Sequence, residues 1–300
     1  MKDVSILIPT YNDACGQLVI DLQRQAEALA IGYEIIVGDD GSTDAGVVAL
    51  NRRIDTVPHC RYVERPRNEG RAAIRNFLAR EACYPWLLFI DSDMTVVASD
   101  FVFKYVSGTE ADVVYGGIIV GGDQEKLRGN LRFLYEKASE PEHTLERRRE
   151  QPYHDFHTAN FLIRRELMLR HPFDERFRHY GYEDVLFGKQ LRTAHISITH
   201  IDNPVGFCTF ESNADFVSKT EEGMRTLHTF RSELRGYSRL ITLVEGIHLP
   251  VVLSVIRLAY RMLGPAVRRQ LCGRRPCLRL FNLYKLAYFV TLEDEKPFGG

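Results

Sequence analysis

Leu87-Leu-Phe-Ile-Asp-Ser-Asp93 is the stretch on which the reading of this 300-residue chain turns. Four apolar residues in a row, followed at once by two carboxylates, describe a strand covered on both faces whose tip is polar. The pattern recurs at residues 4–8, closed by Pro9, and at 35–37, followed by Asp39 and Asp40. Between these runs, residues 17–30, 44–54 and 69–82 have helical spacing, the second opened by Ser42, Thr43 or Asp44 as cap. Strand alternating with helix predicts a doubly wound α/β domain with a mostly parallel sheet. In such a sheet the ligand crevice lies beyond the carboxyl ends of the strands, where residues 10–12, 39–42 and 91–93 fall. Any one of these clusters can be a turn or a helix cap; three on one edge point to a site.

Further along, residues 113–120 and 159–163 read as strands, and 124–140, 182–191 and 213–234 as helices. The Glu-, Arg-, Pro- and His-rich stretch 141–157 has no apolar period and reads as a loop over the site. Residues 240–263 are apolar but interrupted by Glu245, His248, Pro250, Arg257 and Arg261, which argues against a simple membrane span. From Arg257 to Lys285 the charges are all positive: Arg257, Arg261, Arg268, Arg269, Arg274, Arg275, Arg279 and Lys285. Two readings fit this tail: interfacial helices with a basic rim, or helices folded back on the protein with a solvated charged face. The domain division expected is 1–235 for the α/β domain and 236–300 for a helical extension.

Composition bounds the function. With 45% apolar and 26% charged residues the chain is an ordinary globular one, neither disordered nor collagen-like. Thirty-nine basic residues against 40 acidic ones leave no net field to draw nucleic acid. Six cysteines scattered through a chain of this size read as reduced thiols. Residues 1–9 lack the basic start and apolar core of a signal peptide, so the expected location is cytoplasmic, with the tail able to bring the protein to the inner face of the membrane.

Two carboxylates one residue apart at a strand tip, Asp91 and Asp93, can share one hard cation; Mg or Mn with a diphosphate favours such partial carboxylate ligation. Here a resemblance enters. Ser5-Ile-Leu-Ile-Pro-Thr-Tyr-Asn12, Ile36-Val-Gly-Asp-Asp-Gly-Ser-Thr-Asp44, Asn68-Glu-Gly-Arg71, Phe89-Ile-Asp-Ser-Asp93 and Gly181-Tyr-Glu-Asp184 resemble, in order, the signatures of family 2 glycosyltransferases. The resemblance implies a GT-A fold, Rossmann-like, and a metal-dependent inverting transfer from a nucleotide diphosphate sugar, UDP-linked by expectation, to an acceptor hydroxyl. It further implies that Pro9, Thr10, Tyr11, Asn12 and Asp40 border the nucleotide, and that Arg71 approaches it with Arg75 one helical turn on. Asp91 and Ser92 flank the donor, Asp91 and Asp93 hold Mn or Mg, Asp184 is the base, and Glu183 binds an acceptor hydroxyl or positions the base. The bland alternatives are a solvated helix face for Arg75 and dipole complementation for the Glu183–Asp184 pair.

Relatives often carry a histidine after the Asn-Pro-Val stretch as a further ligand; here Phe207 stands at that place. His179, His200 or water could fill the gap. His154, His157 and Asn160 are spaced for acceptor contacts, though a polar loop followed by a buried strand is the favoured reading. The acceptor class expected is a saccharide or lipid-linked saccharide of surface polysaccharide or glycolipid synthesis. Two other readings compete: a noncatalytic nucleotide-binding scaffold subunit, and a sugar nucleotidyltransferase. The second expects a Gly-rich phosphate loop where the chain reads Pro9-Thr-Tyr-Asn-Asp13.

Overall fold

The structure, a computed structural model, describes residues 1–108, 111–154 and 156–292. The chain divides into two compact units. The first comprises Met1–Gly121, Pro141–Arg178 and Glu183–Thr209; the second comprises Gly122–Glu140, His179–Tyr182 and the chain from Phe210 onward. This does not follow the division drawn at residue 235. The Asn213–Thr229 helix packs Phe216 against Phe281, so it clusters with the C-terminal helices. The last part of the expected extension, 293–300, lies outside the described residues.

The first unit is built on a seven-stranded sheet. Its strands are β1 (Val4–Thr10), β2 (Tyr33–Asp39), β3 (Cys60–Glu64), β4 (Trp86–Ile90), β6 (Val113–Tyr115), β8 (Asn160–Arg164) and β9 (Ile198–His200), with β5 (Met94–Val96), β7 (Ile118–Val120) and β10 (Val205–Phe207) forming a small second sheet. The order in the large sheet is β3-β2-β1-β4-β8-β6-β9. β1 to β4 run parallel, β8 lies antiparallel between β4 and β6, and β9 is again parallel to β6. The fold is the expected Rossmann-like α/β sheet flanked by helices. β1, β2 and β4 are buried at nearly every position, as strands covered on both faces are, and the sheet core continues through Phe89 and Phe161, stacked at 4.9 Å.

Several expected elements are broken. Residues 113–120 form two strands in different sheets, parted at Gly116 and Gly117. Gly117 has φ of +96°, and a Cβ on Gly116 would lie 2.2 Å from the Asn203 carbonyl oxygen, so the chain turns where only glycine fits. The helix expected over 124–140 breaks at Asn130, whose side chain accepts from Phe133 N and so caps Leu131–Ser139. The helix expected over 213–234 stops at Thr229 and restarts at Arg231–Leu234. The stretch read as a loop contains the Leu145–Glu150 helix, capped by Thr144, and is pinned by Arg148. That buried guanidinium donates to the carbonyls of Tyr115, Gly116 and Ile201.

The second unit packs the Leu131–Ser139, Asn213–Thr229, Pro250–Leu271 and Leu278–Thr291 helices around Leu131, Phe216, Val217, Leu271, Phe281 and Tyr284.

Candidate active site

The carboxyl ends of β1, β2 and β4 carry Thr10, Asp39 with Asp40, and Asp91. Parallel register fixes this alignment: Thr10 lies opposite Asp39 on the neighbouring strand. The loop after β1 is tied to the loop after β2 by one side chain. Asn12 accepts at Oδ1 from the backbone N–H groups of Thr43 and Asp44, at 2.8 and 2.9 Å, and its own N–H donates to Ser42 Oγ. Thr10 is buried and donates to the Asp13 carbonyl, while Tyr11 projects outward, 45% exposed. Of the expected nucleotide-bordering residues, Thr10 and Asn12 therefore shape the loop with their side chains, and Tyr11 presents its ring.

Asp39 and Asp40 are both buried but differ in partners. Asp39 accepts from Ser42 N, the tight-turn bond expected beside Gly41, and from Tyr62 Oη on the neighbouring strand β3. Asp40 accepts at Oδ1 from Arg65 Nη1 at 2.7 Å, and at Oδ2 from the N–H groups of Glu69 and Gly70. Burial raises the Asp40 carboxyl above its ordinary value, against the pull of those N–H groups and Arg65. The sequence reading missed Arg65 because the edge strand β3, Cys-Arg-Tyr-Val-Glu, lacks the apolar run that betrays its neighbours.

Arg71 and Arg75 open the Arg71–Glu81 helix, entered through Gly70 at φ of +97°. Their environments are opposite: the Arg71 side chain is 47% exposed, that of Arg75 only 1%. Arg75 thus does not sit on a solvated face. Its Nη2 donates to Asp91 Oδ1 at 2.6 Å and its Nη1 to Glu183 Oε1 at 3.2 Å, with the guanidinium over the Phe173 ring. One buried arginine therefore joins the tip of β4 to the first residue of the Glu183–Thr193 helix.

Glu183 and Asp184 begin that helix, where the dipole favours anions. Asp184 Oδ1 accepts from Val185 N at 2.8 Å, and Oδ2 lies 3.3 Å from His157 Nδ1. Burial and the adjacent Asp184 charge raise the Glu183 carboxyl, despite Arg71 and Arg75. Burial also acts upward on Asp184, but the His157 ring, Val185 N–H and Arg75 outweigh it and hold that carboxyl below its ordinary value. The two adjacent acids are thus pushed in opposite directions, Glu183 toward its protonated form and Asp184 toward its anion. His157 shared this neighbourhood in sequence only as one of three spaced polar residues; its pairing spans 27 positions that no local pattern links. Asn160 is structural: it accepts from Tyr105 Oη and donates to the Gly117 and Asn203 carbonyls.

Which residues could hold a divalent cation follows from their commitments. Asp93 is exposed, and Asp91 has one oxygen turned to Arg75 and its other oxygen uncommitted to that pair. Among the described residues no group of three or more His, Cys, Asp or Glu side chains gathers as a cage. Phe207 lies opposite Met94, the residue after Asp93, in the β5–β10 pair and is buried. His200 is spent elsewhere, with Nε2 near the Pro152 carbonyl and Nδ1 near Arg148; His179 pairs with Glu222 in the second unit. Two carboxylates with phosphate oxygens and water fit Mg or Mn, which accept such partial protein ligation.

A 109-residue stretch is 32% identical to an uncharacterized glycosyltransferase of Haemophilus influenzae, covering 36% of this chain and 42% of that relative's length. Among solved structures, the mannosyltransferase PcManGT from Pyrobaculum calidifontis, in complex with GDP-Man and Mn2+, superposes with a TM-score of 0.59 at 15% identity over 99% of this chain and 90% of its own. The S. aureus TarS 1-349 structure with UDP-GlcNAc superposes with a TM-score of 0.50 at 16% identity over 97% and 90%. At such identities the likeness is one of fold. The sequence profile described as Glycosyl transferase family 2 matches residues 5–170, more than half of the chain. This chain belongs to glycosyl transferase family 2.

Proposed function

We propose that this protein transfers a sugar from a nucleoside diphosphate sugar, UDP-linked, to an acceptor hydroxyl by a single displacement that inverts the anomeric carbon. The observation that carries the reading is the Arg75 bridge between Asp91 and Glu183, which gathers strand-tip carboxylates and a poised Asp184 into one site. Asp40 uses three of roughly four acceptor positions of a carboxylate, leaving Oδ1 able to take the N–H of a base such as uracil. Pro9 to Asn12 would border the nucleotide, with the Tyr11 ring as packing surface, and Ser92 and Arg71 would flank the donor phosphates. Asp93 and Asp91 would hold Mn or Mg, and a bound cation supplies positive charge against the departing diphosphate. Asp184 takes the acceptor proton, and no covalent intermediate is needed. Glu183, buried and paired with Arg75, positions that base.

The acceptor would be a saccharide or lipid-linked saccharide of surface polysaccharide or glycolipid synthesis, met in the cytoplasm at the inner membrane face. The test is incubation with a panel of UDP- and GDP-sugars plus Mn or Mg, following release of the nucleoside diphosphate. Slow hydrolysis abolished by EDTA is expected. Absence of both turnover and binding across the panel would favour the scaffold reading. Asp93→Ala is expected to lose metal-dependent donor binding; calorimetry with unchanged affinity in the presence of metal would remove Asp93 from the cation site.

His157 tests the assignment of the base through pH. Because its ring helps hold Asp184 low, His157→Gln raises the Asp184 carboxyl, and the ionised base is lost earlier as pH falls. The acid limb of the kcat/KM profile is expected to move to higher pH; an unmoved limb uncouples the two residues.

A further inference from the structure

In the second unit, the Pro250–Leu271 helix is apolar on two opposite sides. Its inner side is fastened: Tyr260 packs on Tyr284 and Tyr288, Arg257 Nε donates to the Val290 carbonyl, and Arg268 Nε donates to Glu221 at 2.8 Å. Its outer side carries Val251, Val255, Leu258 and Met262, at the i, i+4, i+7, i+11 spacing of one helix face, 73, 59, 58 and 71% exposed. Leu249, Val252 and Leu263 extend this patch. A continuous exposed apolar face of this kind marks an interaction surface.

We infer that this face docks on an anionic lipid bilayer, with the helix lying in the membrane plane. The inference rests on the proposed action at a membrane-borne acceptor. Charge selects the occupant. Between Gly246 and Leu292 there is no Asp or Glu, and Arg261, Arg269, Arg274, Arg275 and Arg279 are exposed. Arg261 borders the outer stripe and Arg269 continues it one heptad beyond Met262, the placement that lets guanidinium groups reach phosphates while the stripe enters the acyl boundary. A second copy on the same face would bring these arginines together with no acid from that segment to pair them. Spanning is the other possibility, since the helix is long and apolar enough to cross by length and composition. The polar ties of its inner side oppose that, because crossing would carry the Arg268–Glu221 pair into hydrocarbon.

The experiment is flotation of the full chain with phosphatidylcholine vesicles, with and without phosphatidylglycerol. Binding is expected only with phosphatidylglycerol, weakened by salt and released by alkaline carbonate. Leu258→Glu with Met262→Glu is expected to weaken binding at least tenfold. Ile20→Glu, another exposed apolar position, should leave binding unchanged. Donor hydrolysis without vesicles should be equal in all of these proteins. Wild type that ignores phosphatidylglycerol, or a double variant that binds as well as wild type, overturns the proposal. Retention after carbonate overturns it in favour of spanning. A dimer in light scattering that the double variant dissociates, without vesicle binding, overturns it in favour of a second copy. Vesicle binding with no hydrolysis of any donor would leave the docking face standing and refute the proposed activity instead.

Discussion

Asp184→Asn is expected to lower sugar transfer by about 10²- to 10⁴-fold while leaving donor affinity within a few fold. The asparagine has the shape of the carboxylate and keeps an oxygen for Val185 N, so the start of the Glu183–Thr193 helix need not rearrange. What disappears is the anion that takes the acceptor proton as the new C–O bond forms. A group that acts only in that step contributes to the transition state and not to donor binding. Single-turnover transfer with labelled donor, beside calorimetry with the donor and Mn, separates the two quantities. Transfer within several fold of wild type would take Asp184 out of the mechanism. Glu183→Gln provides the contrast, since Glu183 faces Arg75 in the interior and its loss should act on the site's geometry more than on proton transfer.

Much of this site could be read in the sequence because fully covered parallel strands appear as unbroken apolar runs, and the acids that follow them must then share one edge. β1, β2 and β4 obey that rule, and Asp40, Asp91 and Asp93 follow from it. The reading weakened where strands are three residues long, as in β5, β9 and β10, or polar at an edge, as in β3. Arg71 and Arg75 show a different limit. Helical spacing places both on one side of a helix, but only the arrival of Glu183, 108 positions later, makes one of them an interior residue. His157 and Asp184 meet in the same way. Spacing gives direction along an element; what stands opposite depends on topology.

Arg75→Met is expected to destabilise the first unit by about 3 kcal/mol, since it leaves the buried Glu183 and the half-buried Asp91 without their shared counter-ion. The methionine fills much of the space beside Phe173, so the loss is electrostatic more than a matter of volume. Two measurements make that distinction. The deficit in urea unfolding should shrink as pH falls, because the orphaned carboxylates can then take up protons and shed their charge. Arg75→Met combined with Glu183→Gln should recover part of the stability, having removed one of the stranded charges, yet recover no transfer. Arg75→Lys keeps the charge but offers a point donor in place of a planar fork, so it cannot hold both carboxylates in the same geometry. It should therefore be closer to wild type in stability than in kcat. If Arg75→Met unfolds at the wild-type urea concentration, the bridge does not hold the strand tip and the Glu183–Asp184 helix together, and the site must be organised by other contacts.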